Sequence, residues 1–449
     1  MSITEQNTNP CHCPDQTAYV KRCGGTTLPP LVNDHLEAEN NNEAKGGFKA
    51  WIYVLASFFL FMNAWGLTQT FGAFNQYYVS SLLSTSSPSS ISWIGSFQVF
   101  LVIVLGVFTG PLFDAGYLRQ MLTLGSTLVV LGMSTLSLAT AYWQVFLAQG
   151  LCVGLGSGLL YVPALAFVST LFPDSVRPWA IGCVNAGGGM GGIIYTFMLR
   201  DLEPHIGFDW AVRAIALVTL VLSVVALAIL LPYRSKAPKS QHRRAMFDLK
   251  ALREPSFLLF SIAMFLNYLA FYITPFYIPM YATEALHQSR SFAFACLVYM
   301  SITSIIGRTL PMLAAGRLGS LQVYIAATVG TIVALFSWTA VQNVAGFLSF
   351  ALMYGIVSGV QVAAPSAAMS HPVLSPTMSV IGTRMGMGWM FAGVGVLVGS
   401  PIAGALVNVT PGQVDFKPAQ SFAGAVAAGA LLCLIFPLVA VIKHDKKTA

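Results

Sequence analysis

Charge is what this sequence has least of. Only 9% of its 449 residues are Asp, Glu, Lys or Arg, where a soluble domain carries roughly 25%. Hydrophobic residues make up 56% and the mean hydropathy is +0.71. A single core cannot hide that much apolar side chain, so a soluble enzyme is excluded. A basic n-region followed by a short apolar stretch is also missing, so no cleavable leader is expected. Seven cysteines form no disulfide framework. Cys152, Cys183, Cys296 and Cys433 fall in apolar runs, where a thiol packs as a small hydrophobe.

What is there is a succession of long apolar runs. A span needs about 20 residues to cross a bilayer, and the runs supply twelve: 50–71, 91–113, 118–140, 144–170, 178–199, 210–231, 256–281, 291–315, 321–340, 344–368, 380–407 and 420–442. The expected fold is therefore an all-α polytopic membrane protein with two six-helix halves, 48–231 and 256–442. A disordered tail (1–47), a basic linker (232–255) and a short C-terminal tail (443–449) complete the chain. An even number of spans puts both termini on one face. That face would hold 17 of the 23 Lys and Arg residues, the opposite loops three, and the spans three. Positive charge stays on the cytoplasmic side, so both termini are expected there, in a cell membrane. The excess of basic residues, net charge +7, is concentrated in the Arg234–Arg253 linker. It reads as a topology anchor against anionic lipid, not a nucleic-acid surface. Six spans, a linker and six more is the layout of a carrier whose halves rock about a midplane site.

Three motifs stand out. Gly110-Pro-Leu-Phe-Asp114-Ala-Gly116-Tyr-Leu-Arg119 joins the second and third spans. Its glycines permit a sharp turn, and Asp114 and Arg119 can pair with each other or with helix ends as a conformational latch. Pro311 to Gly319 repeats the small residues without the acid. Gly154, Gly156 and Gly158 are expected to face Gly182 and Gly187–Gly192 in close helix packing, since lipid provides no hydrophobic drive between helices. In the tail, Cys11-His12-Cys13 with Cys23 resembles a metal cluster. The surrounding sequence cannot hold a tetrahedron, and a solvated tail is the simpler reading. Neither a metal nor an organic cofactor is expected.

Every acidic residue falls outside those spans, and apart from Arg119 at the edge of its span, counted with the adjoining turn, they hold only the cations Arg213, Arg308 and Arg384. A charge in hydrocarbon costs at least ~2.5–3.5 kcal/mol, so it normally faces a cavity. Arg308 lies mid-span, with Ser304 and Ser301 on the same helical face, and a guanidinium can grip a carboxylate through two hydrogen bonds. Arg384 is either an inner-gate anion contact or an interfacial anchor; Arg213 reads as an anchor. Gln69, Tyr161, Asn267, Tyr268, Tyr272 and Gln361 are costly in lipid unless paired. Each either lines the pocket or satisfies a helix contact. Asn63, Gln98 and Asn185 share that ambiguity. A positive cavity without carboxylates repels cations and suits an organic anion or a polar neutral molecule. No nucleophile, metal set or carboxylate pair lies at depth for an embedded enzyme.

The chain resembles the major facilitator superfamily, and within it the fungal branch of the monocarboxylate porters. The likeness lies in Gly46–Trp51, Trp65-Gly66, Phe71-Gly72, the Gly110–Arg119 turn, Gly150–Pro163, Gly382–Gly386 and Gly399–Gly404. It implies secondary transport by alternating access, without ATP. It also implies a substrate-binding arginine at the position of Arg308. Two departures stand out: the porters' first-helix lysine aligns with Thr68 or Gln69, and their eighth-helix aspartate with Ser304. Both are tied to proton coupling in the porters, so coupled lactate transport is not expected. The leading expectation is a monomeric carrier of organic anions, monocarboxylates or a larger secondary metabolite, with export and uptake both open as its direction. A transporter-like nutrient sensor and an uptake carrier for a neutral metabolite are the alternatives.

Overall fold

The structure is a computed structural model that describes residues 47–173, 176–233, 248–410 and 413–448. The tail with Cys11, His12, Cys13 and Cys23, and most of the basic linker, lie outside the described residues. The chain forms helices α1 (Phe48–Gln69), α2 (Pro88–Asp114), α3 (Leu118–Leu136), α4 (Tyr142–Ser169), α5 (Arg177–Ile206) and α6 (Phe208–Leu230). After the linker come α7 (Pro255–Glu284), α8 (Arg290–Leu318), α9 (Ser320–Trp338), α10 (Val344–Met369), α11 (Met378–Leu406) and α12 (Lys417–Thr448). A small hairpin pairs β1 (Asn408–Thr410) antiparallel with β2 (Gln413–Asp415).

Ten of these helices are long and apolar enough to cross a membrane. The other two, α3 and α5, are also long enough at 19 and 30 residues; α5 packs on α1 and α8 through its glycines, while α3 keeps Leu124 and Leu131 exposed. Their glycine, serine and threonine content lowers their hydropathy. α6 and α12 turn Leu217, Val221, Val224, Leu432, Ile435 and Phe436 outward, the apolar belt a bilayer requires.

Local chemistry sets the helix ends. Ser87 caps α2 by accepting from the Ser90 amide at 3.2 Å, followed by Pro88 at the first helical position. Asn343 caps α10 through the Gly346 amide at 2.7 Å. Such caps satisfy amides that have no partner within the helix. Gly116, at φ +88°, ends α2, and Gly319, at φ +92°, ends α8 at the corresponding place in the second half. Only glycine adopts that left-handed backbone without strain. α5 runs past the expected end at residue 199, through Asp201 and Glu203, to stop at Gly207. Charge alone does not break a helix.

Two helices are interrupted. α1 widens into a π-turn at Met62–Gly66, breaks at Thr70 and continues as Phe71–Tyr77. α7 is interrupted at Tyr272, between Pro255–Phe271 and Ile273–Glu284. These are the first helix of each half, and their breaks meet: a side chain at Gly72 would collide with the Pro275 carbonyl oxygen.

The glycine clusters do not face one another. Gly154 and Gly158 lie against Gln98, Leu101 and Leu105 of α2, while Gly156 lies against Gly125 and Val129 of α3. Residues two apart on a helix point roughly 200° apart, so one run serves two neighbours. Gly187, Gly188, Gly191 and Gly192 pack on α1, and Gly189 meets Ile305 of α8. The halves therefore touch through α5 and α8. They also touch along α2 and α11, where Gly386 and Gly393 sit against Val107 and Val104.

Candidate functional site

Arg308 projects between the halves. Its neighbours in electrostatic reach are the phenols of Tyr161 on α4 and of Tyr268 and Tyr272 on α7. Ser304 and Ser301 share its face of α8 and are buried. Among the described residues Arg308 has no hydrogen-bond or ion-pair partner, and its Nε is buried and unbonded. The Tyr272 hydroxyl is also buried without a partner. Each unmatched buried polar group costs about 1–3 kcal/mol. An unmatched Nε on the guanidinium and an unmatched phenol beside it mark a place that a ligand can satisfy.

Aromatic rings wall this charge from both sides. Tyr161 stacks on Trp65, with centroids 5.2 Å apart at 24°, and lies 5.5 Å from Phe61. On the other half Tyr268 stacks on Phe271 at 5.2 Å and meets the edge of Trp389 at 5.3 Å. One turn of α8 away, Gln69, Phe271, Pro275, Met300, Ser301, Ser304, Tyr354 and Ser358 enclose a cavity of only about 10 Å³. Ligand pockets typically offer about 300–1,000 Å³, so this conformation is a narrow one. Gly192 brings α5 against the stem of Gln69 beside Ser301.

The structure thus gathers Arg308, Tyr161, Tyr268, Tyr272, Ser304 and Gln69. It does not gather Asn267, Gln361 and Arg384. Asn267 Nδ2 donates to the Tyr324 hydroxyl at 2.9 Å and to Thr328 Oγ1 at 3.3 Å. Gln361 Nε2 donates to Thr328 and Thr331 at 3.2 and 3.3 Å. These amides fasten α7 and α10 to α9, so their donors are spent on helix packing. Asn63 does the same in the first half: it donates to Thr219 and Ser223, each at 3.0 Å, and accepts from Tyr195 at 2.6 Å. Asn185 bonds its own helix through the Ile181 carbonyl.

Arg384 is a correction to the expected site. Its side chain is 4% exposed and fully engaged. Nε donates to Asp248 at 3.1 Å, Nη1 and Nη2 grip both oxygens of Glu254 at 2.6 Å, and Nη1 also reaches the Leu374 carbonyl at 2.8 Å. A cation already matched to two carboxylates has no capacity for an anionic ligand. It ties the end of the linker to the start of α11.

Of the two pairings expected for Arg119, with Asp114 or with a helix end, the described contacts hold the second. Arg119 donates to the Tyr233 carbonyl at 2.9 Å. The turn at Gly116 directs it to a carbonyl just beyond the C-terminal end of α6, where the negative end of the helix dipole attracts it. Gly110 has open space around its backbone. Arg213 sits over the Trp210 ring at 4.6 Å and donates to Ser137, consistent with anchoring.

Trp65, Phe271, Met300, Pro275, Tyr354, Ser358 and Trp389 were not expected at the site. The one signal for them in sequence is Pro275, close after Tyr272, which marks the break in α7.

Comparison with known proteins places this architecture. The Major Facilitator Superfamily profile matches residues 50–390. The chain belongs to that superfamily. Within it, the MFS-type transporter dbaD of Emericella nidulans is 35% identical over 81% of this chain and 80% of its own length. An aspyridones efflux protein of the same species is 31% identical over 89% and 81%. An agnestins efflux protein of Paecilomyces divaricatus is 31% identical over 80% and 81%. Among solved structures, the nucleoside transporter NupG superposes with a TM-score of 0.68, covering 86% of this chain and 99% of its own at 16% identity. That likeness concerns the fold alone.

Proposed function

We propose that this carrier exports an organic anion, or a larger polar metabolite that presents an acidic group, by alternating access about Arg308. The observation that supports this reading is the unpartnered guanidinium held between two aromatic walls, one from each half. A carboxylate, enolate or phenolate would complete Arg308 and accept from Tyr272. The rings would stack on a planar scaffold larger than lactate. The efflux proteins among the relatives support outward movement of a secondary metabolite. In this reading the linker face is cytoplasmic, as the 17-to-3 distribution of basic residues favours. The monocarboxylate-porter resemblance then describes the position of the arginine rather than the size of the cargo.

The test begins with an untargeted comparison of metabolites inside and outside cells with and without the protein. Once a cargo is found, Arg308→Ala should cut its flux by about 10–100-fold at equal surface expression. This is the loss expected for a charge-assisted hydrogen bond of about 1.5–3 kcal/mol. Unchanged flux would remove Arg308 from the site. The acidic residues described in the helices, such as Asp114, Glu203, Asp209 and Glu284, lie in their first or last turns, and Asp201 within the last two turns of α5. A protonophore should therefore slow export only weakly; loss of uphill export would point to a coupling carboxylate.

A further inference from the structure

We propose that His371, His444 and Asp445 form a three-ligand site for a divalent transition-metal cation of the zinc type on the linker face. His371 lies in the turn between α10 and α11, and His444 and Asp445 lie near the end of α12. Their ligand atoms all fall within 4.8 Å of one another. Asp445 Oδ1 is 3.1 Å from His371 Nε2 and 3.6 Å from His444 Nδ1, and the two rings stand edge to face at 5.6 Å. A tetrahedral ion with bonds of about 2.0–2.1 Å requires ligand atoms about 3.3–3.4 Å apart, so small rotations of these side chains close the site. Two imidazoles and a carboxylate favour zinc and its neighbours over magnesium or calcium. Three protein ligands leave a position for water, as in exchangeable sites.

Coordination through Nε2 shifts the neutral ring's proton to Nδ1 of His371. That proton displaces the bond Nδ1 accepts from the Val373 amide, already long at 3.3 Å. The His371 carbonyl keeps the amides of Leu374 and Ser375, each at 2.9 Å. The same turn offers its Leu374 carbonyl to Arg384. A bound ion would pin one end of the turn to α12 while Arg384 pins the other to the linker through Asp248 and Glu254.

The full-length protein, stripped of metal and reconstituted in lipid nanodiscs, is titrated with zinc by calorimetry and elemental analysis. A full-length chain carrying Cys11→Ser, Cys13→Ser and Cys23→Ser is run beside it to remove thiols of the tail. We expect one zinc per chain in both, and affinity at least ~100-fold weaker in His371→Ala and in Asp445→Asn, given that even an outer-shell change can cost that much. Zinc should also slow amide exchange at residues 370–377. Absence of tight zinc in both parent chains overturns the proposal. So does zinc that survives His371→Ala but disappears with the tail cysteines.

Discussion

Arg308 and Arg384 are the same residue type at similar hydropathy, and the structure gives them opposite surroundings. Arg384 has two carboxylates; Arg308 has none. Breaking a buried ion pair by removing one partner costs about 3–5 kcal/mol, because the remaining charges keep their desolvation penalty. Asp248 and Glu254 are partly exposed, 19% and 39%, so Arg384→Ala should fall near the lower end, about 3 kcal/mol. Arg384→Lys should recover little, since an ammonium cannot match the two-pronged grip on Glu254. Thermal unfolding in detergent, followed by size-exclusion fluorescence, checks both. A fully stable Arg384→Ala would return this residue to the list of ligand contacts. The sequence makes both arginines visible but hides the difference, because Asp248 and Glu254 lie 136 and 130 positions from Arg384. They belong to a linker that hydropathy sets apart from the spans.

At the level of helices, the apolar runs predict the described ends within a few residues in most cases. The reason is physical: the bilayer imposes one length on every span. The breaks in α1 and α7 are less legible. A π-turn or a mid-span interruption changes backbone geometry without changing composition, and only Pro275 hints at one. Interrupted helices in matching positions of two repeats are where carriers build binding sites, and here both breaks adjoin Gln69 and Tyr272. The glycines were legible as packing residues but not as to partner, since spacing gives the face and not the neighbour. Gly359 shows how much depends on that neighbour. A Cβ there would collide with the Ser304 carbonyl oxygen and lie 2.9 Å from the Arg308 amide. Gly359→Val should therefore push α8 off α10 and displace Arg308 without altering a single ligand-facing group. We expect export to fall at least ~10-fold, on the scale of overpacking costs of about 1–3 kcal/mol, with protein still present at the surface. Normal export from this variant would mean that α8 can shift without moving the site.

Across the whole molecule, the two faces are closed by different means. The Arg384 cluster joins the end of the linker to α11 and does not bridge the two halves. On the face opposite the linker, contacts cross between them: Asn75 donates to the Phe276 carbonyl at 2.9 Å and Gln76 to Thr283 Oγ1 at 3.0 Å. Arg290 donates to Ser80 Oγ at 2.9 Å and lies 3.9 Å from Glu203. In the proposed transport cycle, exchange of a bound molecule with that face requires these contacts to break. Each is neutral or solvent-accessible and worth about 0.5–1.5 kcal/mol, weak enough for the rocking motion to open. A covalent bridge is not. With Gln76→Cys and Thr283→Cys in one chain, a short cleavable thiol cross-linker should abolish export, and cleavage should restore it. Each single-cysteine chain treated in the same way controls for the native thiols and should keep transporting. Export that continues through the bridged protein would show that α1 and α7 stay together during the cycle, and that the cargo leaves by a route other than the seam between the halves.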